Sequence, residues 1–197
     1  MGCEAAKINV SDVLRRVQEK LSAASNGEDE TRGCDGESVL LATAARYSSP
    51  PSEFSVTPPT GFDPDAAALF EAIVESAFLI ANADGEFDAA EREVFALVVL
   101  EASEHRVSAR QVQAIVSDLT TQLAEDGLDQ RLERLRSAIS KPQDRREVLR
   151  IAALLARASA GISSSERAVL GRLASLWELP PGAVDEALTA FAGVLDG

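Results

Sequence analysis

Ala81-Asn82-Ala83-Asp84-Gly85-Glu86-Phe87-Asp88-Ala89-Ala90-Glu91-Arg92 and Ala156-Arg157-Ala158-Ser159-Ala160-Gly161-Ile162-Ser163-Ser164-Ser165-Glu166-Arg167 read as two copies of one helix–turn–helix. In the first, the helix ends near Gly85, which can take the left-handed conformation that closes a helix. An apolar residue follows, Phe87 or Ile162, in the place of a hydrophobic staple. Then Asp88 and Glu91, or Ser163 and Glu166, stand three apart as a capping box that opens the next helix. The apolar frame is kept in both copies, whereas the acidic residues of the turn are kept only in the first.

Helical periodicity extends outward from both turns. Asp63 and Pro64 open a first helix that runs to about residue 83, with Leu69, Phe70, Ile73, Ala77 and Ile80 facing inward. A second spans about 89–104 with Val94, Phe95, Leu97 and Val98 on its apolar side. A third, about 109–125, carries Val112, Ile115, Val116, Leu119 and Leu123. A fourth, near 128–140, uses Leu128, Leu132, Leu135 and Ile139 and is ended by Pro142. Residues 143–159 then repeat the first helix: Ile73, Val74, Ala77 and Leu79 become Val148, Leu149, Ala152 and Leu154. Residues 164–178 repeat the second, and Val184, Ala187, Leu188, Phe191 and Leu195 repeat the third. No alternating β-branched run occurs. The expected fold is all-α: a compact seven-helix domain of two pseudo-twofold three-helix repeats plus a linking helix, spanning 61–197.

Residues 1–60 differ in character. An amphipathic stretch at 11–24 carries the stripe Val13, Leu14, Val17 and Leu21, capped by Ser11 or Asp12. Around it lie an acidic, Gly-containing run at 25–37 and the pairs Pro50-Pro51 and Pro58-Pro59. Such composition predicts a poorly ordered N-terminal segment with one short helix, which either docks onto the main domain or tethers a partner.

The formal net charge is −13. Nucleic-acid binding needs a basic footprint, and anionic lipid needs the same, so both are disfavoured. A cation or a basic protein surface is the natural electrostatic partner, and plain solubility is the alternative meaning of the acidity. Cys3 and Cys34 are the two cysteines and have no metal-ligand spacing, so neither a disulfide framework nor a thiolate zinc site is expected. There is no apolar run near 18 residues and no signal-peptide core, which leads to an expected cytoplasmic protein without direct membrane insertion.

The acidic turn has two readings. Gly85, Phe87, Asp88 and Glu91 are explained as helix stop, staple and cap, which leaves Asn82, Asp84 and Glu86 over. Against a calcium loop, Asn82, Asp84, Gly85, Asp88 and Glu91 fall at the third, fifth, sixth, ninth and twelfth positions, but the first position is Ile80. The cage is incomplete. Asn82, Asp84, Glu86, Asp88 and Glu91 are candidate ligands for a weakly bound divalent cation completed by water, or a patch for a basic protein. No other cofactor is implied. In the second copy Arg157, Ser159, Ala160 and Gly161 replace the acidic set.

Catalytic chemistry is thin. His105 is the single histidine and lies where a cation favours a helix C-terminus. No nucleophile–base pair and no phosphate loop is visible, so an enzyme is not expected. Arg131, Arg134, Arg136, Arg145 and Arg146 form a basic stretch, read as surface ion pairing. Trp177 reads as a core or groove residue.

The run Ala83-Asp84-Gly85-Glu86-Phe87-Asp88-Ala89-Ala90-Glu91-Arg92 after an apolar helix resembles the TerB-like tellurite-resistance family. So does Ile162-Ser163-Ser164-Ser165-Glu166 with its following helix and Leu176-Trp177-Glu178-Leu179-Pro180. The resemblance covers about 65–195. It implies a compact, all-α, cytoplasmic bacterial protein of tellurite and stress resistance. It also implies membrane-associated and metal-linked protein partners and no enzymatic activity. The alternative is a helical adaptor that takes a peptide or helix in an apolar groove, with a purely structural acidic turn.

Overall fold

The structure, a computed structural model, describes residues 43, 44, 47, 64–85, 87–139, 141–160 and 162–189, with the side chains of 64, 90, 91, 143 and 157–160 excepted. The amphipathic stretch 11–24, the cap at Asp63, Glu86, the Glu91 side chain, the side chains of Arg157 and Ser159, Gly161, Phe191 and Leu195 lie outside the described residues.

Among the described residues no strand occurs; Thr43, Ala44 and Tyr47 are helical, and six longer helical segments follow: α1 Pro64–Ala81, α2 Ala89–Ala102, α3 Ala109–Ala138, α4 Pro142–Ala160, α5 Ser164–Leu176 and α6 Ala183–Thr189. The two helices expected at 109–125 and 128–140 are both present and run on from one another within α3, separated at Gly127, whose φ 75° and ψ 163° are not helical. That conformation is open essentially to glycine alone, so the break expected from the sequence survives as a kink.

α1 and α4 form the centre. They pack on each other, and α4 also touches α2, α5 and α6. Their sequences explain the position: from Ala72 to Ile80 every residue of α1 is buried, and so is Val148–Ala156 of α4 apart from Arg150. A helix apolar on every side is stable only when surrounded. α2 and α3 pack on each other and on this pair, as do α5 and α6, and α3 also touches α5.

Local devices fix the helix ends. Ser163 Oγ accepts from Glu166 N at 3.2 Å, and Glu166 Oε2 accepts from Ser163 N at 2.5 Å, which is the expected capping box. A second box, Ser108 with Gln111, opens α3. Phe87 is buried edge-on to Phe78 (5.4 Å) and Phe95 (5.9 Å), pinning the first turn to α1 and α2. Trp177 is core, 2 % exposed, with its indole N–H towards Leu135 O at 3.5 Å. It lines no groove.

The composition shift at residue 60 does not mark the edge of the packed body. Thr43 and Ala44 are buried, and the Tyr47 ring lies 5.1 Å from Phe70 of α1. No helix among the described residues is long and apolar enough to cross a membrane.

Candidate functional site

The first turn keeps its backbone in order with short bonds. Asn82 N donates to Phe78 O at 3.0 Å, Ala83 N to Ile80 O at 3.1 Å, and Gly85 N to Asn82 O at 3.2 Å. Gly85 has the left-handed φ expected of it, 80°, but it sits in the turn four residues beyond the end of α1 at Ala81. Asp88 occupies the residue before α2, with Arg92 N bonded to its carbonyl at 3.0 Å. Asp84 and Asp88 are exposed and Asn82 is half-buried. Ile80 is fully buried, so the first position of a calcium loop is occupied by a core side chain. Among the described residues no group of three or more His, Cys, Asp or Glu side chains converges as a metal site.

Directly beyond this turn lies a groove between α2 and α3, with a volume of about 580 Å³. α2 lines it with Arg92, Glu93, Ala96, Leu97 and Leu100; α3 contributes residues from Ala109 to Thr121, Val116 among them. The groove and the turn are joined: Arg92 Nη1 donates to Phe87 O at 2.8 Å. Asp88 and Arg92 are four helical steps apart, about 6 Å along the axis. Hence the acidic turn stands at the N-terminal mouth of the groove.

Leu97 was expected to face inward and does not. It is 44 % exposed, the one large exposed hydrophobic among the described residues. The buried stripe of α2 is Phe95, Val98, Val99 and Ala102, spaced i, i+3, i+4, i+7. Leu97 lies off that stripe, on the side of α2 that faces the groove.

The basic stretch is not a single surface. Arg131 is buried; its Nε and Nη2 donate to Glu75 Oε1 at 2.6 and 2.5 Å, and its Nη1 to Asp126 Oδ2 at 3.2 Å. Arg134 joins from outside, 2.8 Å from Asp126. Burial pushes the Glu75 carboxyl above its ordinary value, against the pull of Arg131. Arg145 caps carbonyls instead, donating from Nε to Ile139 O at 2.9 Å and from Nη1 to Trp177 O at 3.4 Å. Glu75 was missed in the sequence. Its signal was a lone carboxylate inside an otherwise apolar helical run, which needs a buried cation. His105 is exposed, sits at φ 56°, and pairs with Glu101 at 3.1 Å as a helix-end residue.

No curated protein and no solved structure matches the chain significantly. A family model does: the one described as tellurite resistance protein TerB matches residues 71–189, from the middle of α1 to the end of α6. The chain therefore belongs to the TerB family of tellurite-resistance proteins.

Proposed function

We propose that this TerB chain is a non-catalytic interaction module of a cytoplasmic stress- or tellurite-resistance system. It takes a helical protein partner in the α2–α3 groove, with the acidic turn 82–91 at the mouth receiving the partner's basic end. The observation that carries this reading is Leu97, a large apolar side chain left in water beside Ala96, Leu100 and Val116. An apolar groove with a charged rim suits an amphipathic helix, whose anchors recur every three or four residues. The partner is drawn in by the net charge of −13. The two three-helix units inferred from the repeat belong to this proposal: the first carries the groove and the acidic turn, the second serves as scaffold.

The test is a titration of the isotope-labelled full chain with a synthetic 14-residue Leu/Lys amphipathic peptide. Amide signals of Ala96–Leu100 and Gln113–Thr121 should move, and Leu97→Asp should weaken binding at least tenfold. Non-specific attraction to an acidic protein would do the opposite, since Leu97→Asp adds a negative charge. Unmoved groove signals, or undiminished binding by Leu97→Asp, overturn the reading.

A second reading keeps the turn as a weak cation site. It is favoured by Asp84 and Asp88, both exposed on either side of Gly85 at φ 80°. Asn82, Glu86 and Glu91 complete the set, and water fills the remaining positions of a hard divalent ion. Millimolar calcium, magnesium or manganese should then raise the melting temperature, and Asp84→Asn with Glu86→Gln should abolish the rise. No shift with any of them removes this reading and leaves the groove untouched.

A further inference from the structure

We infer that the resident occupant of the α2–α3 groove is the chain's own amphipathic stretch, residues 11–24, so that the module is self-plugged until a partner displaces it. This rests on the groove reading above and adds the identity of what lies in the groove.

Dimensions come first. The stripe runs from Val13 through Leu14 and Val17 to Leu21. Eight helical steps span about 12 Å. The α2 wall from Arg92 to Leu100 is also eight steps long, again about 12 Å. As a helix, the stretch would set just over two turns of ligand against just over two turns of wall.

Charge comes second. Residues 11–24 hold Arg15, Arg16 and Lys20 against Asp12 and Glu19, a net +1 in a chain of net −13. The groove presents Glu93 beside Arg92, whose guanidinium is bonded to Phe87 O, with Asp88 and Asp84 beyond its mouth. A second copy of the chain would bring its own net negative charge to an acidic rim, so the basic stretch is the better occupant.

Tethering comes third. The chain is anchored to the domain by Thr43 and Ala44, which are buried, and by Tyr47 against Phe70. The Tyr47 hydroxyl bonds Glu71, and the Asp118 charge of α3 acts on the same pair. Ser117 and Thr121, which flank Asp118 in sequence, line the groove. From residue 24 to residue 43 the chain can reach roughly 60 Å at about 3.3 Å per residue, several times the diameter of α3. A tether of that length holds the stretch at an effective concentration of about a millimolar, enough to fill a site of modest affinity without any partner. Docking would cover both apolar surfaces at once, Leu97 and the stripe.

Disulfide trapping in the full chain tests this. In a Cys3→Ser, Cys34→Ser background, Val17→Cys is combined with Leu97→Cys or, to spare the groove's apolar centre, with Thr121→Cys. The control combines Val17→Cys with Ser175→Cys on α5, which does not line the groove. At micromolar protein under mild oxidant, either groove pair should close an intramolecular disulfide at least tenfold faster than the control. Equal rates overturn the inference, as does a covalent dimer, which would make a second copy the occupant. The Leu/Lys peptide separates the two levels. Val17→Asp should tighten its binding at least tenfold by vacating the groove. Slow trapping with peptide still bound at Leu97 defeats this inference alone; loss of both defeats the groove.

Discussion

Glu75 occupies the most enclosed stretch of α1, between Val74 and Ser76, both wholly buried. A carboxylate there survives only because Arg131 reaches it with two nitrogens and passes its third to Asp126. Removing one partner of such a pair strands a charge, whereas replacing both by apolar groups does not. Arg131→Ala should therefore cost about 3–5 kcal/mol in urea unfolding, and Glu75→Leu with Arg131→Met should recover most of it. A single variant as stable as the parent would show that the pair is dispensable. Strain is a second feature at this scale. Glu178 closes α5 at φ 56°, with Leu179 N bonded back to Ala174 O at 2.9 Å. Glycine takes this conformation without the Cβ penalty, so Glu178→Gly should stabilise by about 1 kcal/mol, read as a higher melting temperature.

At the scale of elements, the kink in α3 decides where the second half of that helix goes. Before Gly127, Val112, Ile115, Val116 and Leu119 are buried, where α3 packs on α1 and α2; after it, Leu132 and Leu135 are buried and Leu135 O accepts from the Trp177 indole N–H. Nothing stands within 4 Å of a Cβ built at Gly127, so a side chain there meets no clash and feels only the backbone. Gly127→Ala should then cost about 1–3 kcal/mol in denaturant unfolding. An unchanged midpoint would mean that the bend relaxes freely and does not position Arg131.

For the whole molecule, the tie between residue 47 and the domain is titratable. Burial and the nearby Asp118 charge push the Glu71 carboxyl above its ordinary value, and the Tyr47 hydrogen bond draws it partly back. Glu75 is raised as well, first by burial. A carboxyl raised in the folded state binds its proton more tightly there than in the unfolded chain. Its contribution is fully present below the ordinary glutamate value of 4.5 and is lost as pH rises through the raised value. Acidification from neutrality towards 4.5 should accordingly favour the fold through these groups. Glu71→Gln should flatten the dependence of melting temperature on pH in that window. Parallel curves for variant and parent would exclude Glu71 as a contributor. Tyr47 works the same way at the alkaline end: its hydroxyl is raised above 10.0, chiefly by burial, so the contact with Glu71 is lost as pH climbs through that raised value.

What the sequence by itself determined were features written in local spacing. Helices announce themselves by a 3.6-residue period, glycine stops by their backbone freedom, and capping boxes by a pair three residues apart. So the all-α class, the Gly85 turn, the Ser163–Glu166 box and the family were legible from residues alone. Tertiary structure alone decided three things. Whether Leu97 meets protein or water depends on how closely α3 lies against α2, which no period encodes. Glu75 and Arg131 are 56 positions apart, and their meeting follows from the packing of α1 on α3. Ala44 and Tyr47 join the core from a short apolar run, Val39 to Ala45, that lies between two linker-like stretches and is too short for its period to say what it packs against. Local free-energy preferences are set by neighbours in sequence, but burial is set by neighbours in space, and the groove exists only at the second level.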